Sequence, residues 1–287
     1  MQTLSERFRV APGERVQLDR HDPADKAGLD RAAAKAMMQE GAERLEALQE
    51  RLYAHRRWAV LVVLQGMDAS GKDGVVRTVT AGMNPRLLRI AGFEAPNAAE
   101  LRHDYLWRVH QVVPPRGSIG FFNRSHYEDV LVPRVNPAAL ERQMLPPSLV
   151  DAGIWDRRLN EITWFEGYLG QQGTVILKVF LHISPDEQRK RLLARVENPA
   201  KQWKVDLNDL EVRDQWTQYQ AAYEQAIEAT TTAEAPWFIV PADHKWFARL
   251  AVQRVLLEAL EGLDLDLPHP GPERAAMLDE ARRRLTG

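Results

Sequence analysis

Branched apolar residues follow one another without a polar break through Ala59-Val60-Leu61-Val62-Val63-Leu64, and again across most of Gly173 to Ile183. Runs apolar on both faces are the mark of strands buried inside a parallel sheet. Shorter stretches at Leu87–Phe93, Ser118–Phe122 and Trp237–Val240 predict three further strands. Between them the apolar positions recur at helical spacing. Leu29, Ala33, Met37, Leu45, Leu48 and Leu52 place one long helix over Gly28–His55, and others are predicted after Gly71 and from Pro96 to Val109. Four more follow: Trp155 to Leu169, from Ser184-Pro185 to Asn198-Pro199, through Trp216, Tyr219, Tyr223 and Ile227, and Lys245 to Leu260 with Asp243 as candidate cap. Strands alternating with helices predict one α/β domain, a three-layer α/β/α sandwich around a parallel sheet, with its site at the strands' C-terminal ends. We assign this domain to residues 28–263, residues 1–27 to a polar N-terminal arm, and residues 264–287 to a tail ending in an Arg-rich helix.

The first strand leads into Gly66-Met67-Asp68-Ala69-Ser70-Gly71-Lys72-Asp73-Gly74. Two glycines with four residues between them and a lysine after the second, between a strand and an amphipathic helix, form a phosphate-binding loop. The glycines let the backbone curl around an anion, its N–H groups point inward, and the helix adds the positive end of its dipole. Gly66, Ala69, Ser70, Gly71, Lys72 and Asp73 are the phosphate-contacting candidates. An ordinary Gly-rich turn is the competing reading. Asp73 stands where a Ser or Thr is usual, and Asp68 lies inside the loop. Two carboxylates would repel a phosphate chain unless a divalent cation lay between them, so Asp68 and Asp73 imply magnesium, with manganese as substitute.

The third strand ends in Asn123-Arg124-Ser125-His126-Tyr127-Glu128. Arg124 is placed to grip phosphate in bidentate fashion, which lysine cannot imitate. Ser125 and Glu128 read equally as a capping box or as ligand contacts. Between Arg189 and Lys204 six cations face one acid, Glu197, and a basic turn, Lys201-Gln202-Trp203-Lys204, follows. Residues 187–232 could thus close over phosphates as a mobile lid, the alternative being a solvated face.

At 287 residues, with 45% hydrophobic and 27% charged residues, the chain has the composition of a soluble globular protein. It contains no cysteine, which rules out disulfides, thiol catalysis and cysteine-held metals, and fits the cytoplasm. The N-terminal residues lack the apolar core of a signal peptide, and no run approaches membrane-spanning length. A net charge of -2 argues against a general nucleic-acid binder. The scattered histidines, such as His103 and His110, show no metal-ligand spacing.

Taken in order, Gly66–Gly74, Phe122–Val132, His182-Ile183-Ser184 with Glu187-Gln188 and Arg191-Leu192, Lys201–Lys204 and Pro236–Asp243 resemble the polyphosphate kinase 2 family over roughly residues 30 to 262. The resemblance implies a P-loop kinase-like fold of the thymidylate-kinase type with a helical lid. It also implies magnesium-dependent, reversible phosphoryl transfer between inorganic polyphosphate and adenine nucleotides, by a homodimer or homotetramer. By matching position Asp68, Lys72 and Arg124 would be catalytic. Arg191, Arg195, Lys201 and Lys204 would track polyphosphate, and Asn123, Arg124, Tyr127, Glu128 and Arg108 would meet the nucleotide. Asn123 and Glu128 resemble the third class of the family, whose members phosphorylate AMP as well as ADP. The competing functions are an ATP-dependent nucleoside monophosphate kinase, a non-catalytic phosphate or nucleotide sensor, and a nucleic-acid binder using the basic segment.

Overall fold

The computed structural model describes residues 3–267 and 271–286. Five strands form one parallel sheet: β1 (Ala59–Gln65), β2 (Leu88–Gly92), β3 (Ile119–Asn123), β4 (Thr174–His182) and β5 (Trp237–Pro241), in the order β2-β3-β1-β4-β5. The helices are α1 (Leu4–Phe8), α2 (Arg31–His55), α3 (Lys72–Val79), α4 (Trp107–His110), α5 (Glu128–Val135) and α6 (Pro137–Glu141). They continue as α7 (Ile154–Gln171), α8 (Pro185–Val196), α9 (Asn208–Asp214), α10 (Trp216–Thr230), α11 (Lys245–Glu261) and α12 (Pro272–Thr286).

The uninterrupted apolar run of β1 makes it the central strand. All seven residues are buried, and Val62 pairs with Phe121 of β3 on one side and Leu177 of β4 on the other. Helix α11 packs on α2 and α3 over one face of the sheet, while α5, α7 and α10 pack together over the other. The chain leaves β1 toward β3 and β2, then returns past β1 to β4 and β5. The loops after β1 and β3 therefore diverge at a switch point, the usual place for a ligand crevice.

Four local expectations change. The helix predicted from Pro96 to Val109 breaks into a 3₁₀ turn, Glu100–Arg102, and the short α4, because Asp104 turns its carboxylate onto the Leu106 N–H and interrupts the ladder. Asp243 does not cap α11. Its Oδ1 accepts from the Ser184 N–H at 2.8 Å, tying the end of β5 to the start of α8. Residues 3–27 do more than wrap the surface: Phe8, Val10, Val16 and Leu18 join the core, and Arg9 bridges Phe238 beside β5. Finally, α10 belongs to the body of the sandwich, since Tyr219, Tyr223, Ala226 and Ile227 are buried against α5 and α7. What stands proud of the sheet is the narrower stretch from the end of α8 through α9, where Trp203 and Leu207 are 77% and 73% exposed.

Candidate active site

The loop between β1 and α3 is shaped by three left-handed residues, Gly66 (φ 147°), Ala69 (φ 63°) and Gly71 (φ 113°). Only glycine fits at Gly66. A Cβ there would lie 2.8 Å from the Leu181 carbonyl oxygen and 2.9 Å from Ser70 Oγ. Lys72 opens α3 and folds back over the loop, its Nζ donating to the Gly66 and Met67 carbonyls at 2.5 and 3.3 Å. Burial lowers the pKa of this ammonium, an effect partly offset by the nearby Asp68 carboxylate.

Arg124 follows β3 with φ 65°, a conformation that costs a non-glycine residue energy and that recurs at functional sites. Its N–H bonds the Leu64 carbonyl, and this turn carries the side chain across to the phosphate loop. There Nη2 donates to Asp68 Oδ1 at 2.8 Å, and Nη1 lies 3.9 Å from Glu128 Oε2. The Glu128 carboxylate, ahead of Asp68, raises the guanidinium pKa further, so Arg124 is permanently charged. Glu128 is held in return above its ordinary value, because desolvation outweighs the attraction of Arg124 and Lys72.

Asn123 Nδ2 donates to Asp73 Oδ1 at 2.6 Å, and Asp73 Oδ2 lies 3.8 Å from Lys204 Nζ. Asp73 thereby joins the end of β3 to the basic turn. Arg195 Nη1 pairs with Asp209 Oδ2 at 3.1 Å, linking α8 to α9. Lys201 is exposed beside this segment.

Two sequence candidates are placed otherwise. Arg191 is buried, and its five N–H donors are spent on protein: Nη1 on the Ala69 and Ser70 carbonyls, Nη2 on those of Ala242 and Asp243, and Nε on Glu187. It braces the phosphate loop from behind and has no donor left for a phosphate chain. Tyr127 does not reach the crevice. Its ring is in the core, and its hydroxyl bonds Glu166 Oε1 and Thr230 Oγ1 at 2.9 and 2.8 Å, within a buried network that also holds Lys178 and His126. Arg108 lines the crevice, but it is held there by Asp129 Oδ2 and the Glu94 carbonyl at 3.1 and 2.8 Å. Ser125 and Glu128 make no capping box: Ser125 Oγ is buried and accepts from Gln65 Nε2 and the Tyr127 N–H.

The resulting crevice, about 290 Å³, is lined by Gly66, Met67 and Asp68 of the phosphate loop, by Arg124 and Glu128, and by Val212, Tyr219 and Tyr223. The sequence marks Gln188 within the resembling motif but gives it no role; its Nε2 donates to the Asp68 carbonyl at 3.0 Å while its Oε1 accepts from Arg213 of α9 at 2.8 Å. Sequence reasoning passed over Arg142, an exposed cation at the rim. Gln188 occurs on a face already shared with Arg191, which was the available signal; nothing local marks Arg142.

A curled amide loop, a lysine folded over it and an arginine locked to its aspartate define a P-loop phosphotransferase. The polyphosphate kinase 2 (PPK2) profile matches residues 28–267. The chain is 48% identical over 266 residues to the AMP/ADP-polyphosphate phosphotransferase of Meiothermus ruber, covering 92% of this chain and 96% of that one. It is 42% identical over 287 residues to the ADP-polyphosphate phosphotransferase of Rhodopseudomonas palustris, covering 99% of each. The crystal structure of polyphosphate kinase 2 from Arthrobacter aurescens TC1 superposes with a TM-score of 0.87 at 41% identity, over 96% of this chain and 97% of the other. The chain belongs to the polyphosphate kinase 2 family. Its chemistry is polyphosphate-dependent nucleotide phosphorylation. Among the described residues no helix is long and apolar enough to cross a membrane.

Proposed function

We propose that this protein transfers the terminal phosphoryl group of inorganic polyphosphate to both AMP and ADP, giving ADP and ATP. The reading is carried by the convergence of Lys72, Arg124 and Asp68 at one end of the crevice, where among the described residues no histidine lines the walls. An acceptor phosphate is already ionised at neutral pH and needs no base, so alignment and charge neutralisation suffice. The amides of Gly66–Lys72 hold the polyphosphate end. An acceptor oxygen attacks the terminal phosphorus in line, the bridging P–O bond breaks, and the shortened polyphosphate departs with the bonding electrons. Lys72 and Arg124 neutralise the equatorial oxygens throughout. Acceptance of AMP rests on Asn123 and Glu128, and the relative from Meiothermus ruber that bears both activities in its name supports it.

Asp68 and Asp73 suit magnesium, or manganese in its place. Among the described residues no group of three or more His, Asp or Glu gathers, and magnesium needs only one or two carboxylates when phosphates and water complete its shell. Such an ion would supply charge neutralisation between the donor and acceptor phosphates. The narrow segment from Trp203 through α9 acts as the lid, its exposed Trp203, Leu207 and Leu210 gaining burial on closure. We further assign the protein to the cytoplasm and to a homodimeric or homotetrameric state.

Purified protein with magnesium and long-chain polyphosphate, offered AMP, ADP, GMP and GDP separately, tests the reading by chromatography of the products. Formation of ADP from AMP and ATP from ADP is expected. Unchanged AMP beside converted ADP would remove the dual specificity, and no conversion of any acceptor would defeat the proposal.

A further inference from the structure

Arg124 and Glu128 both line the crevice, whereas Ser125, His126 and Tyr127 between them are buried away from it. One carboxylate holds two of these three. Glu166 Oε1, on α7, meets His126 Nε2 at 3.1 Å and accepts from the Tyr127 hydroxyl at 2.9 Å. His126 Nδ1 has no partner among the described residues, so Glu166 supplies the one hydrogen bond that orients the ring. Glu166 Oε2 accepts from Lys178 Nζ at 2.5 Å, and the same ammonium donates to the Thr230 carbonyl at the end of α10 at 2.6 Å. The turn after β3 is thereby tied to α7 and, through Lys178, to the sheet itself, where Lys178 of β4 pairs with Val63 of β1 and Trp237 of β5.

Stability alone does not account for this arrangement. Glu166, Lys178 and His126 are 2%, 0% and 1% exposed. A buried ion pair returns little more than its desolvation costs, and apolar residues of similar volume often serve as well. What an apolar pair cannot supply is an acceptor for the two side chains of the turn. Arg124 enters that turn at φ 65°, a conformation that persists only where the surroundings hold it. Toward β1 the turn is held by the Leu64 carbonyl and by Gln65 Nε2, and toward the core by Glu166.

We propose that Glu166 is a positioning residue for phosphoryl transfer, holding His126 and Tyr127 so that Arg124 and Glu128, on either side of them, keep their aim into the crevice. The proposal rests on the phosphotransferase reading above. Glu166 is buried behind the turn and touches neither donor nor acceptor. It acts through the alignment of the Arg124 guanidinium, and a displacement of about 1 Å in such a group can cost about 10²-fold in rate. Among the described residues Glu166 hydrogen-bonds His126, Tyr127 and Lys178 and no residue of the phosphate loop, so its effect falls on turnover and on the nucleotide, not on the loop's grip on polyphosphate.

Two double variants isolate the acceptor atom. E166Q/K178M and E166L/K178M both remove the charge pair and the donor to the Thr230 carbonyl, but only glutamine keeps an oxygen for His126 and Tyr127. For the full chain and each variant, kcat and the KM values for ADP and polyphosphate are measured, with ADP affinity and melting temperature in parallel. E166L/K178M is expected to have a kcat about tenfold below the parent and weaker ADP binding, with the KM for polyphosphate little altered. E166Q/K178M is expected to keep most of the parent's kcat and ADP affinity at a melting temperature similar to that of the leucine variant. Y127F, which removes a single hydroxyl, guards against misfolding of the doubles and is expected to lower kcat severalfold with the KM for polyphosphate unchanged. Equal kcat in the two doubles, whether both high or both low, would overturn the proposal, as would a parental kcat in Y127F. If the unaltered chain phosphorylates no nucleotide yet the two doubles differ in ADP affinity, the transfer reading falls and the positioning role stands; if the parent is active and the doubles are alike, only the positioning role falls.

Discussion

The Arg124 guanidinium donates to the Asp68 carboxylate at 2.8 Å across the mouth of the phosphate loop, from a backbone held at φ 65°. The pair closes one end of the crevice and aims a fixed, delocalised cation at the place where phosphoryl oxygens gather charge. R124A is expected to lower kcat about 10³-fold with little change in melting temperature, and R124K to recover only a small part, since lysine lacks the planar fork. Steady-state kinetics with ADP and polyphosphate checks both. K72A is expected to lose a comparable factor.

Arg191 and Arg195 lie four residues apart on α8 but should behave differently. Removing the Arg191 guanidinium leaves the Ala69, Ser70, Ala242 and Asp243 carbonyls without their buried donor, so R191A should lose about 3 kcal/mol of stability or more. R195A and K204A break partly exposed pairs and should cost under about 1 kcal/mol. Denaturant titration separates the two classes; similar losses would contradict the bracing role of Arg191.

Glu128 is held above its ordinary value of 4.5, chiefly by desolvation. Between 4.5 and that raised value the folded protein binds more protons than the unfolded chain, so this group lowers stability as pH rises and the penalty persists at neutral pH. E128Q should therefore melt higher than the parent at pH 7, with the gain shrinking as pH falls toward 4.5, while losing activity. Melting curves at several pH values check this.

Desolvation, with a contribution from the neighbouring His21, pushes the His182 pKa down from 6.5 to about 4. The unfolded chain takes up this proton near pH 6.5 and the folded chain resists until about pH 4. Its contribution is complete above pH 6.5 and is lost as pH falls through that interval, by about 3 kcal/mol. Substituting asparagine, H182N, should flatten that part of the stability profile; an unchanged slope would contradict the assignment.

The sheet, its flanking helices and the phosphate loop were legible because each depends on neighbours in sequence: apolar runs for β1 and β4, and the glycine spacing from Gly66 to Gly71. The difficulties arose where long-range partners decide. Arg191 lies on a cationic helix, and only the tertiary fold brings the Ala69 and Ala242 carbonyls to it. Tyr127 sits in a motif with Arg124, yet the turn after β3 sends their side chains to opposite sides, one into the core and one into the crevice. Asp243 has the sequence context of a cap, but the Ser184 N–H competes for its carboxylate and wins.

The most direct test of the central claim is the position of the anion in crystals grown with magnesium, polyphosphate and a non-reactive ADP analogue. The account predicts the terminal phosphate within the amides of Gly66–Lys72, between Lys72 and Arg124, with the nucleotide's own phosphate facing it in the crevice. Polyphosphate bound elsewhere, with the nucleotide phosphates alone in that cradle, would contradict it.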